Sequence, residues 1–167
     1  MSPMSQFVEV RPMARSDSAV SPEAKSLDLA ASEVQSFAER SIAQFGPKLA
    51  AITKIWELVN ECNTVGWDGA DADPLFHLAG AFAEDFVRAL PSNVPMPEFA
   101  PEPDGSISLD WIQSRHRIFS LSIGTSRRLA YAWLDGTDRG HGVAHFDRGI
   151  VPLRVLEGIR MIVTQGS

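Results

Sequence analysis

Asp68, Asp71 and Asp73 stand close together in a glycine-containing stretch, and carboxylates so grouped are the raw material of a cation site. A calcium loop needs oxygen ligands at alternating positions, a glycine at its sharp turn and usually a distal bidentate Glu. The spacing here does not meet that demand. Asp73 is better placed to cap a helix that Pro74 begins. Asp68 fits an Asx-turn onto nearby amides, with Gly69 supplying the turn and Trp67 packed over the core as an anchor. No metal and no cofactor is expected.

The other reactive side chains read the same way. His141 and His145 share one side of a strand, yet four residues along a strand span roughly 13 Å, too far for one ion. His77 and His116 are isolated in sequence. Arg115, His116 and Arg117 fall in a different turn from Arg127 and Arg128, at the far end of the shared strand, so these charges form a solvated rim. Asp135 to Gly142 is glycine-rich but lies in a hairpin, and a phosphate loop needs a strand-to-helix setting. Cys62 is the single cysteine. It sits in a helical pattern without a nearby base, which makes it a small hydrophobe rather than a nucleophile. One cysteine excludes an intramolecular disulfide and fits a reducing compartment. No Ser-His-Asp order, nucleophile elbow or HExxH stands in the sequence, so no catalytic residue is assigned.

Helical spacing fills the first half of the chain. Ser21 and Pro22 open a helix whose apolar positions run from Leu27 to Phe45, and Gly46-Pro47 is expected to end it. Leu49, Ile52, Ile55, Trp56 and Val59 form the stripe of a second helix, and the pair reads as an αα-hairpin. A third helix runs from Asp73-Pro74 to Leu90. Five prolines between Pro91 and Pro103 then impose an extended strap.

Asp104-Gly105 turns the chain into four alternating segments. Ile107, Leu109 and Trp111 share one face, as do Phe119, Leu121 and Ile123, then Leu129, Tyr131 and Trp133, and Gly140 to Phe146 is a weaker fourth strand. A last helix starts near Pro152. The expected fold is α+β, with three N-terminal helices, a four-stranded antiparallel meander sheet and a C-terminal helix (ααα-ββββ-α). Residues 1–20 are expected to form a flexible arm, with Phe7, Val8 and Val10 able to add a strand. A single domain is expected over 21–167: a helical part 21–90, the strap 91–105, and the sheet plus helix 106–165.

The sheet's second face is unusual in its small residues: Ser106, Ser108 and Asp110, then Ser120 and Ser122, Ala130 and Ala132, Gly142 and Ala144. Small side chains permit close approach of another backbone. That backbone is one of the protein's own helices or a partner; otherwise the face is a plain wet surface. The expected binding positions are therefore Ser108, Ser120, Ser122, Ala130 and Ala132, with Trp67 and Asp68 of the loop and Trp111 of the first strand.

Two motifs carry a resemblance. Gly66-Trp67-Asp68-Gly69 before a helix, and Pro103-Asp104-Gly105-Ser106-Ile107-Ser108-Leu109-Asp110-Trp111 after the strap, resemble a group of small uncharacterised bacterial proteins. These pair a WDG loop with a PDGxIxLDW strand, and the likeness spans about residues 56 to 160. It implies a bacterial source and a binding role, as an antitoxin-like or accessory partner in a defence or mobile-element locus.

Composition narrows the remaining classes. The 167 residues are 44% hydrophobic with a net charge of −6. A basic surface for nucleic acid or anionic lipid is disfavoured by that balance. No apolar run reaches the roughly 20 residues of a spanning helix, and no secretory h-region opens the chain, so a cytoplasmic location is expected. The sequence thus points to a non-catalytic protein-interaction protein, its partner being a protein encoded nearby or a second copy. The alternatives are a small hydrolase using Asp68 and a nucleic-acid-binding accessory protein.

Overall fold

The computed structural model describes residues 21–164. The arm expected over residues 1–20, and the strand read at Phe7 to Val10, lie outside the described residues. The elements are α1 (Pro22–Glu61), α2 (His77–Ala89), β1 (Glu98–Pro101), β2 (Ile107–Ser114), β3 (Arg117–Ile123), β4 (Arg128–Asp135), β5 (Asp138–His145) and α3 (Leu153–Thr164). The chain divides into two units, Met1–Arg40 and Ser41–Ser167, with the division inside α1.

The fold is α+β, and three details differ from the sequence expectation. First, α1 does not stop at Gly46-Pro47; Pro47 lies inside it. Proline in a helix removes one hydrogen bond and crowds the preceding turn, at about 3 kcal/mol. Its ring also clashes with the Cβ of the residue before it, and Gly46 has none. Gly46 does not take the positive φ of a helix end. Beyond Pro47, Ala51, Ile52, Ile55, Leu58 and Val59 are buried in the core, and that burial outweighs the local break. The helices before the sheet are therefore two, not three.

Second, the next helix starts at His77 rather than at Asp73-Pro74. Residues 73–76 spend their amides elsewhere: Asp73 N–H donates to Pro103 O, Leu75 N–H to Cys62 O and Phe76 N–H to Gly105 O. These extended residues are stitched to their neighbours before the helix begins.

Third, the sheet has five antiparallel strands in the order β1-β2-β3-β4-β5. The extra strand comes from the proline strap, where Glu98 to Pro101 pair with Asp110 to Ile107. Proline is tolerated there because β1 is an edge strand, which needs hydrogen bonds on one side only.

One hydrophobic cluster joins the helices to one sheet face. Ile55 and Val59 of α1, Phe86 and Val87 of α2, and Val155, Ile159 and Ile162 of α3 pack with Ile107, Leu109, Trp111, Phe119, Leu121, Ile123 and Leu129. Arg117 fastens the far end, pairing with Asp135 at 2.9 Å and donating to Met161 O at 2.8 Å. Lys48 reaches the carboxyl end of α2 and donates to Arg88 O and Leu90 O. Those carbonyls have no partner inside their own helix, so a cation there satisfies them. Burial pulls the Lys48 pKa below the ordinary lysine value.

Candidate functional site

The two sequence motifs meet in space. In the first, Gly66 and Gly69 take φ of 73° and 81°, conformations that side chains with a Cβ rarely adopt. Asp68 Oδ1 accepts from Ala70 N–H at 2.9 Å and Ala72 N–H at 3.4 Å, the Asx-turn its sequence context predicts. The Trp67 indole donates to Asp73 O at 2.8 Å. In the second motif, Gly105 has φ of 81°, and a Cβ there would lie 2.4 Å from the Phe76 ring. Asp104 accepts from Ser106 N–H at 3.0 Å. The bonds from Asp73 to Pro103 and from Phe76 to Gly105 then join the two loops. The segment after the WDG loop thus supplies the donors, Asp73 N–H and Phe76 N–H, and the PDG turn supplies the acceptors, Pro103 O and Gly105 O. Asp68 is committed to backbone amides, and among the described residues no side-chain acid, base or nucleophile hydrogen-bonds to it.

The small-residue face is polar at one end and bare at the other. Glu102 accepts from the hydroxyls of Ser106 and Ser122, which lie 3.1 Å from each other. Asp110 accepts from Ser108 at 2.8 Å and from Ser120 across the strand. Register explains the grouping, since Ser108 opposes Ser122 and Asp110 opposes Ser120. Ser106 and Ser108 are buried, Ser120 and Ser122 half-buried, and Ala130 and Ala132 exposed. The serine protons are spent on carboxylates, an arrangement that fixes strands and leaves no activated nucleophile. The hydrophobic cluster that includes the helices uses the opposite face.

Trp111 keeps the face it was expected to share with Ile107 and Leu109, and one other placement on the sheet changes. Trp111 lies in the core, 2% exposed, with its indole donating to Pro95 O at 2.8 Å. Gly142 and Ala144 do not join the small face. Gly142 opposes Tyr131 and Ala144 opposes Leu129, so both lie on the helix side, while His141 and Val143 share the open face with Ala130 and Ala132. The expected turn ran from Asp135 to Gly140. The observed connection is Gly136-Thr137 alone, between Asp135 and Asp138. Register follows turn length, and a one-residue slip exchanges the faces of a strand.

That slip hides an aromatic cleft from the sequence. Phe119, Tyr131 and Trp133 lie on the helix side of β3 and β4, with Phe119 and Tyr131 stacked at 5.7 Å and 16°, and Tyr131 and Trp133 at 6.2 Å and 23°. The rings cross the backbone of β5. A Cβ at Gly140 would stand 2.1 Å from Trp133, and one at Gly142 would stand 2.6 Å from Tyr131. Arg154, Glu157 and Met161 of α3 line the opposite side of an opening of about 480 Å³. Two-residue spacing of Tyr131 and Trp133 against Gly140 and Gly142 is the sequence signal for this arrangement, and it becomes legible once the hairpin is two residues long.

A second cluster lies between α1 and α2. The Trp56 indole donates to Glu84 Oε2 at 2.6 Å, and Arg88 donates to Oε1 at 2.6 Å and 2.9 Å. The Arg88 and Trp56 hydrogen bonds hold the Glu84 carboxyl below the ordinary range. His77 packs on Trp56 with ring centroids 4.7 Å apart. Among the described residues, no three His, Cys, Asp or Glu side chains converge to hold a metal ion, and no helix is long and apolar enough to cross a membrane. No family model, curated protein or solved structure matches the chain.

Proposed function

We propose that the protein acts by binding another polypeptide through the apolar residues of α1, without chemistry of its own. One observation carries this reading. In the unit that ends at Arg40, no described residue is buried, yet Leu27, Val34 and Phe37 stand 69–70% exposed at helical spacing. Water disfavours such side chains, and burying one fully stabilises by about 1.5–3 kcal/mol. A helix that buries nothing is also marginal in isolation. In the other unit, Ile42, Phe45 and Leu49 are 59–71% exposed, a second unpartnered apolar run. An apolar stripe on a helix fits the like stripe of another helix, knob into hole.

The occupant that this reading names first is a second copy of the chain, since self-complementary surfaces close most simply into twofold pairs. The antitoxin-like or accessory role implied by the WDG and PDG motifs belongs to the same reading: such a subunit works by contact. Sedimentation of the full chain over concentration tests it. A reversible dimer is expected, with a dissociation constant on the order of micromolar. Val34→Glu and Phe37→Glu should give monomers with unchanged sheet and core stability. A wild-type chain that stays monomeric at about 100 μM, some hundred-fold above that constant, refutes the pairing.

A further inference from the structure

The cleft on the helix side of β3, β4 and β5 is independent of α1 and has a different chemistry. Its floor is aromatic. Tyr131 and Trp133 are half-buried, Tyr131 is near parallel to Trp133 and to buried Phe119, and both rings stand close against glycines of β5. Its wall is charged. Arg154 and Glu157 are both exposed on α3, three residues apart, and neither makes a hydrogen bond or ion pair among the described residues. An opening of about 480 Å³ is in the range of small-molecule sites, which combine an apolar floor with a few polar groups.

Each part of the cleft selects. A flat aromatic floor favours a flat aromatic ligand, since stacked π-faces attract at offset geometry. A guanidinium offers paired donors, and a carboxylate offers paired acceptors. A ligand that satisfies both must carry acceptors and donors on its ring edges. Guanine does so, with O6 and N7 as acceptors and N1–H and N2–H as donors. The cleft adds a single arginine and His141, set against Glu157 and Asp138, so it provides no seat for a run of phosphates. The net charge of −6 points the same way. We propose that this cleft binds a free purine base or nucleoside of the guanine type, stacked on Tyr131 and Trp133 and held at its edges by Arg154 and Glu157.

Isothermal titration of the full chain with guanosine, adenosine and guanosine 5′-monophosphate tests the assignment. Guanosine should bind with a dissociation constant of about 1 mM or tighter. Adenosine, whose N1 is an acceptor and whose single donor group is N6–H2, cannot offer Glu157 the paired donors of guanine and should bind at least several-fold more weakly. The monophosphate should gain nothing over guanosine. Glu157→Ala and Arg154→Ala change exposed helix positions and should leave the fold intact. The first should erase the preference for guanosine over adenosine, and each should weaken guanosine binding about ten-fold. Trp133→Leu should weaken both nucleosides if the variant melts as the wild type does. Absence of guanosine binding at about 10 mM overturns the proposal, as does binding that Arg154→Ala and Glu157→Ala leave unchanged.

Discussion

Gly158 offers a test of how closely α3 approaches the sheet. An alanine in place of a glycine within a helix normally stabilises by about 1 kcal/mol, because it restricts the unfolded chain. At this position a Cβ would stand 2.4 Å from Phe119 Cε2 and 3.0 Å from Cδ2. Phe119 is fully buried and stacked on Tyr131, so its ring has little room to retreat. Forcing an extra carbon into such a core costs about 1–3 kcal/mol. The clash cancels or exceeds the propensity gain, and Gly158→Ala should destabilise by up to about 2 kcal/mol. For a chain of this size the melting temperature should fall by about 2–4 °C per kcal/mol. A smaller residue at 119 supplies a control that separates the two effects. In a Phe119→Leu background the clash partner is gone, and Gly158→Ala should become neutral or stabilising by up to about 1 kcal/mol. Urea and thermal melts of the four proteins in this cycle measure the coupling. A stabilising Gly158→Ala in the wild type, or one effect in both backgrounds, refutes the close approach on which the cleft geometry depends.

Glu84 gives a pH dependence of known sign. Its folded pKa lies below the ordinary carboxylate value, chiefly through hydrogen bonds from Arg88 and Trp56. The stability it contributes is therefore full above about pH 4.5 and is lost as pH falls through the lower folded value. Acid titration followed by Trp56 indole NMR should show that loss, and Glu84→Gln should flatten it; an unaltered acid limb would sink the assignment. Cys62 gives a reactivity prediction. The residue is buried, and burial, with the nearby Glu61 charge, raises its thiol pKa. Native protein should react with a thiol reagent far more slowly than the urea-unfolded chain, whereas equal rates would show the thiol open to solvent.

The secondary-structure period was written in the chain. Alternation set the strands and the core face of β2, β3 and β4, because a strand buries every second residue whatever lies around it. The Asp68 Asx-turn was legible for a similar reason: it needs only Asp68, Gly69 and the amides of the same loop. Three outcomes depended on residues distant in sequence. Pro47 continued a helix because Ile52, Ile55 and Val59 gained more from the core than the local break cost. Residues 98–101 became a strand because β2 offered its open edge. The cleft appeared because a two-residue turn set Gly140 and Gly142 beneath Trp133 and Tyr131, and α3 closed over from the far end of the chain. Local geometry obeys local residues, but faces, edges and clefts are settled by which burial pays best across the whole fold.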